Sequence, residues 1–245
     1  MPRTYPSAHR PIASTFLLAA LVATGCAGPT PTPRVDAFAT DFDGAPRSFP
    51  AGWRTATSNR LGAMVDGTWE LRADASSPSP PTCFALADPD GHFAEVFNLC
   101  WRPDVSVADV DVVVALRADA GEEDRGGGPA WRVVGENDYY LVRWNPLEDN
   151  FRVYSVVGGD RVQLDSVRLV ADREAWHTIR ARMVGDRITC WFDGEELLHA
   201  RDAKLTSAGG VGLWTKADAA TSFDDFAAVP AATPRAEASA VEAPR

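Results

Sequence analysis

Between Arg132 and Lys216 the chain sets planar polar side chains beside aromatic rings: Arg132, Asn137, Tyr139, Arg143, Asn145, Glu148, Trp214 and Lys216, with Trp191 of the same kind. A sugar offers a C–H face that stacks on an aromatic ring, and its hydroxyls hydrogen-bond amides, carboxylates and guanidinium groups. The set therefore has the chemistry of saccharide recognition. Strand alternation puts Arg143 on the face that carries Tyr139, opposite Tyr140 and Trp144, so one strand can present ring and charge together. A structural role competes with this reading at each position. Most of the eight tryptophans must pack in the core, and arginine–carboxylate pairs often lock loops.

Other chemistries find less support. A glycosidase of the Glu-x-Asp-x-Glu type places three carboxylates on one strand face, where two act as nucleophile and general acid. The nearest string, Glu122-Glu-Asp124, has Gly126 in the last position and lies in a glycine-rich loop, which excludes that mechanism. The loop Gly121 to Gly128 lacks the Lys-Ser/Thr ending of a phosphate-binding loop and is expected to be a flexible connection. No His-x-x-x-His or paired Cys-x-x-Cys spacing points to zinc. Adjacent strand residues point to opposite faces, so Asp224 and Asp225 cannot share one task. Asp224, with loop carbonyls and Asp43, is a candidate for a structural calcium, beside the plainer reading as a turn or salt-bridge residue. Were the domain hydrolytic, Glu148, Glu136, Asp224 or Asp225 would have to supply the acid or base.

The elements that must position these residues are strands. Val110, Val112, Val114 and Leu116 alternate onto one face, and Tyr139–Trp144 and Phe151–Val157 are β-rich runs joined by Asn145-Pro-Leu-Glu-Asp-Asn150. Gly158-Gly159 turns the chain into Asp160–Leu164. From Trp176 to Arg201, the turns Gly185-Asp186 and Asp193-Gly194 separate three alternating segments, a β-meander. Val211–Trp214 and Ser222–Phe226 flank a polar link and read as closing strands. About a dozen strands in one domain need two packed sheets. The expected fold is an all-β, two-sheet antiparallel sandwich or jelly roll spanning 35–229.

The ends read differently. Arg3, His9 and Arg10 precede the apolar run Ile12 to Thr24, which is shorter than the roughly 20 residues a membrane-spanning helix needs and reads as a signal peptide over 1–25. Ala23-Thr24-Gly25-Cys26 resembles a lipobox, with Cys26 as the lipidated residue, followed by a Pro/Thr-rich linker over 26–34. A Pro/Ala-rich tail over 230–245 is expected to be disordered. This points to export to a bacterial cell envelope, with membrane contact through the lipid anchor only. Arg3 and Arg10 are the only basic residues in 1–25, so the remainder carries 22 basic and 34 acidic residues, a formal charge of −12. That balance argues against nucleic acid and anionic membrane surfaces as partners. Cys83 and Cys100 flank neighbouring apolar segments, where an oxidising compartment would allow a disulfide, whereas Cys190 alternates with Ile188 and Phe192 as a buried small hydrophobe.

Trp176-His-Thr-Ile, Gly185-Asp-Arg-Ile and Phe192-Asp-Gly-Glu-Glu-Leu197 together resemble concanavalin A-like (laminin-G-type) sandwiches. Phe49-Pro-Ala-Gly-Trp53, Gly127-Gly-Pro-Ala-Trp-Arg132, Glu136-Asn-Asp-Tyr-Tyr-Leu-Val-Arg143, Asn145 with Glu148 and Asn150, Gly212-Leu-Trp-Thr-Lys-Ala-Asp218 and Phe223-Asp-Asp-Phe226 narrow the likeness. They resemble exported bacterial proteins of the glycoside-hydrolase-16-like or 3-keto-disaccharide hydrolase-like group (former domain of unknown function 1080). The resemblance implies a carbohydrate ligand, with hydrolysis of 3-keto-disaccharides or related glycans as the alternative to binding.

Overall fold

The computed structural model describes residues 35–59, 62–63 and 65–231. The expected signal peptide, Cys26, its linker and the tail beyond Ala231 lie outside the described residues. Every α-helix or strand element within them is a strand, and no helix there is long and apolar enough to cross a membrane. In chain order they are β1 (Phe38–Thr40), β2 (Arg54–Asn59), β3 (Gly62–Ala63), β4 (Thr68–Ala73), β5 (Thr82–Asp88), β6 (Phe97–Val107), β7 (Val110–Ala120) and β8 (Gly127–Gly135). There follow β9 (Asp138–Asn145), β10 (Asn150–Val157), β11 (Asp160–Arg168), β12 (His177–Val184), β13 (Arg187–Phe192), β14 (Glu195–Arg201), β15 (Gly209–Lys216) and β16 (Ala220–Pro230).

Two antiparallel sheets result. The first runs β14-β13-β12-β7-β16-β5-β4, with β1 added to β16; the second runs β11-β10-β9-β8-β15-β6-β2-β3. The meander expected between Trp176 and Arg201 is β12-β13-β14. Its second turn takes Asp193 and Gly194 both to positive φ (49° and 83°), the twist that a two-residue hairpin link requires. On β7, Val110, Val112, Val114 and Leu116 are fully buried and lie opposite Met183, Ala181, Ile179 and His177 of β12. Full burial of each such side chain is worth roughly 1.5–3 kcal/mol.

The core fills the space between the sheets. From the second sheet it takes Cys100, Trp131, Tyr140, Val142, Trp144, Phe151, Val153, Val211 and Leu213. The sheets meet where Trp131 Nε1 donates to Met183 Sδ at 3.2 Å and where the Trp144 and Phe192 rings lie 5.3 Å apart. The three thiols of the described residues are free and buried, and Cys190 is a core residue as expected. Cys83 sits on β5 in the first sheet and Cys100 on β6 in the second, so the expected pairing between them is not made. Beyond the expected boundary at Val229, β16 continues to Pro230, and Ala231 N still bonds to Asp109 O.

Alternation leaves the other face of the second sheet pointing away from this core. There a second apolar cluster forms: Phe97 and Leu99 of β6, Ala130 and Val133 of β8, Tyr139 and Leu141 of β9, Tyr154 and Val156 of β10 and Trp214 of β15, with Trp101 half-buried at its margin. An antiparallel sheet ordinarily turns polar residues outward on such a face. Here the nine residues are 0–4% exposed, so this face carries a second buried apolar cluster, with Trp101 the ring at its margin.

Candidate functional site

The outer face of the second sheet is ordered by the β9–β10 register. Tyr139 lies opposite Val156, Leu141 opposite Tyr154, Arg143 opposite Arg152 and Asn145 opposite Asn150. The first two pairs belong to the apolar cluster; the last two begin a polar region beside it. Two arginines directly opposite would repel. Each has a carboxylate of its own: Arg143 Nη2 donates to Asp124 Oδ1 at 2.6 Å, and Arg152 Nη1 to Glu148 Oε2 at 3.0 Å.

Asp124 is the hub of this region and is 1% exposed. Its Oδ1 also accepts from Asn145 Nδ2 at 3.0 Å and from the Arg125 amide at 3.0 Å, and Lys216 Nζ stands 3.2 Å from Oδ2. Burial pushes the Asp124 carboxyl up from its usual range, while Arg143 and Lys216 oppose that shift. Asn150 Nδ2 donates to Glu148 Oε2 at 2.7 Å, extending the network along the sheet. Burial would raise the Glu148 carboxyl too, but Asn150, Arg143, Arg152 and Lys216 outweigh it and hold the group below its usual value.

Asp124 is aimed by the loop between β7 and β8. The sequence suggests a flexible connection, whereas the structure pins it. The amides of Glu122, Glu123 and Asp124 donate to the Asp218 carboxylate at 2.7, 3.1 and 2.8 Å, so the N–H groups a phosphate would need are already engaged. Arg125 clasps the other side through the carbonyls of Ala118 and Asp119. Gly121 has φ 137°, and a Cβ there would collide with the Asp124 carbonyl oxygen, so the tight return needs glycine.

Asp218 makes the loop sensitive to acid. Burial would raise its carboxyl, but the three amides outweigh that and hold it below its ordinary value. A carboxylate with a depressed folded pKa contributes stability that is present above its unfolded value of about 4 and is lost as pH falls through the folded one. Asp218→Asn is therefore expected to flatten the acid limb of a thermal-unfolding profile below about pH 4. An acid limb as steep as that of the parent would contradict the assignment.

No family model matches this sequence, and no curated protein matches it significantly. Solved structures do. The carbohydrate-binding module CBM66 from Bacillus subtilis superposes with a TM-score of 0.54 at 19% identity, over 71% of this chain and 93% of that one. A Bacillus licheniformis beta-glucanase gives 0.53 at 12% identity, over 81% and 99%. A prokaryotic beta-1,3-1,4-glucanase (lichenase) derived from a mouse hindgut metagenome gives 0.52 at 13% identity, over 80% and 100%. The fold is a concanavalin A-like jelly roll.

Within this jelly roll the residues singled out by sequence separate into groups. Arg143, Asn145, Glu148 and Lys216 converge on the outer face of the second sheet, around Asp124. Tyr139 and Trp214 lie on the same face but are fully buried, with Trp214 Nε1 donating to the Tyr139 hydroxyl at 3.1 Å. They form the floor of the apolar cluster, not free sugar platforms. Asn137 does not join the polar group: it sits in the β8–β9 turn, about 26 Å along the strand direction from Asn145. Trp191 belongs to the first sheet, under the Arg180 guanidinium at 4.7 Å.

Arg132 leaves the candidate set altogether. Its guanidinium donates to Ala108 O at 2.6 Å, Leu205 O at 2.8 Å and Gly185 O at 2.9 Å, and stands 3.4 Å from Asp109 Oδ1. It ties three connections of the jelly roll together. The calcium reading of Asp224 finds no cluster to support it. Its carboxylate accepts from Ser79 N at 2.9 Å, Ser79 Oγ at 2.8 Å and Asp225 N at 2.9 Å, and no three metal-ligating side chains group together among the described residues.

The candidate ligand residues chosen from sequence omit Asp124, Asn150 and Arg152, which the structure brings to this polar region. The β9–β10 hairpin register would have placed Asn150 and Arg152 opposite Asn145 and Arg143. Asp124 carried no comparable signal, because its position depends on a loop held by Asp218, 94 residues away.

Proposed function

We propose that this domain is a carbohydrate-binding sandwich whose ligand lies across the outer face of the second sheet. The observation that carries the reading is the junction on that face of an aromatic cluster with a polar network that retains unsatisfied groups. Arg143 Nε and Asn150 Oδ1 are buried there without a hydrogen-bond partner. Buried polar groups are ordinarily satisfied, so such atoms mark where a ligand's hydroxyls complete the network. That the fold is shared with a carbohydrate-binding module and with glucanases supports the same reading.

Binding without hydrolysis fits the carboxylates. Glu148 is held ionised by its neighbours, Asp124 is enclosed by cations and amides, and Asp224 is capped by Ser79. Burial raises the Asp124 and Asp224 carboxyls, but both are buried and already hydrogen-bonded, and Glu148 is held low. None therefore joins a raised pKa to the access a glycosidase's general acid needs. The sequence features of the leader add export and lipid attachment at Cys26 to the proposal; mass spectrometry of the purified mature protein would show an acylated Cys26 as its first residue.

A glycan array probed with the protein, its fold checked by circular dichroism, tests the function. Saccharide binding is expected, and no binding by folded protein would overturn it. Release of reducing sugar from 3-keto-glycosides, abolished in Glu148→Gln, would replace binding with hydrolysis. Trp101, at the margin of the cluster and opposite Gly212 of β15, is the ring best placed to meet a sugar face. Trp101→Ala is expected to weaken binding about fivefold, roughly 1 kcal/mol, by calorimetric titration. Unchanged affinity would move the ligand away from that margin.

A further inference from the structure

We infer that the saccharide bound on this face is anionic, a glycan whose carboxylate or sulfate groups are received by Arg161 and Arg143. The inference rests on the reading of the face as a glycan site and narrows it to a class of ligand.

Arg161, on β11, lies across three rings of the apolar cluster: Tyr154 at 4.6 Å, Phe97 at 5.2 Å and Trp214 at 5.7 Å. Aromatic faces hold a guanidinium in place without using its N–H groups. Its nearest carboxylate, Glu95, is 3.8 Å from Nη2, and Nη1 is buried with no hydrogen-bond partner. Arg143 is 2% exposed and has one nitrogen, Nε, in the same condition. Two cations fixed on one face, each with an unused N–H, are what a planar anion would satisfy.

Arg143, Arg152, Arg161 and Lys216 lie among Asp124, Glu148 and Glu95, on a chain that has 34 acidic residues against 24 basic ones. Chiefly burial, with the Arg161 charge adding to it, draws the Arg143 guanidinium below its ordinary value while Asp124 opposes the shift. Because the chain is acidic as a whole, non-specific attraction of polyanions is not expected, and retention of one would reflect this face.

The test is calorimetric titration of the full chain with oligogalacturonate, a sulfated glucan, and the neutral glucans laminarin and lichenan at low and moderate salt. At least one anionic glycan is expected to bind at least tenfold more tightly than the neutral ones, with the preference shrinking as salt rises. Arg161→Gln should abolish the preference, while Arg168→Gln, on the same strand and with its side chain 78% exposed, should leave it intact. Equal binding of neutral and anionic glycans would overturn the inference and leave the glycan site standing. No binding of any of them would overturn the site itself.

Discussion

Replacing Arg132 with alanine is expected to destabilise the folded domain by about 3–5 kcal/mol. The guanidinium is 2% exposed and hydrogen-bonds one carbonyl in each of three connections: Ala108 between β6 and β7, Gly185 between β12 and β13, and Leu205 between β14 and β15. Removing it leaves those carbonyls without their donor and opens a void beside them. A hydrogen bond to a charged group is worth about 1.5–3 kcal/mol, and the three act as one unit, so the sum is not simply additive. Arg132→Lys should recover only part of the loss, because an ammonium cannot reach three directions from one planar fork. Urea unfolding followed by circular dichroism measures both variants. A loss under about 1 kcal/mol for the alanine variant would show that the connections hold without the arginine.

Asp124→Ala is expected to act on stability and binding together. It removes the carboxylate from between Arg143 at 2.6 Å and Lys216 at 3.2 Å, leaving a buried guanidinium uncompensated. Breaking a buried pair from one side costs about 3–5 kcal/mol. The loss of Arg143's alignment should also weaken glycan binding by tenfold or more. Asp124→Ala combined with Arg143→Met should be more stable than Asp124→Ala alone, since the buried guanidinium is then no longer left unpaired and only the more accessible Lys216 lacks its carboxylate. If the double variant were the less stable of the two, the pair would not be the organising interaction of this face.

These two residues show where the sequence is informative and where it is not. Alternation identified the core strands: Val110 to Leu116 and the meander from Trp176 fold as their periodicity requires, because burial of one face fixes the register. Alternation also put Arg143 and Tyr139 on one face. It could not say that Tyr139 would be sealed beneath neighbours, since that depends on which strands flank β9. Arg132 carries the residue type of a ligand contact, and only the three-dimensional meeting of three loops shows it to be structural. Asp124 failed as part of a catalytic string yet organises the polar region, because Asp218 on a distant link positions its loop. Single-strand patterns fix which face a residue takes; long-range contacts decide what it does there.

The position of the ligand on the second sheet is the property to measure. Hydrogen–deuterium exchange of the full chain, with and without the tightest glycan from the array at saturating concentration, locates it. Protection is expected in β6, β9, β10, β11 and β15, centred on Trp101, Arg143, Arg152, Arg161 and Lys216, with the first sheet unchanged. Protection confined to β12–β14 around Trp191, or to the connections tied by Arg132, would place the ligand elsewhere and contradict the assignment of this face.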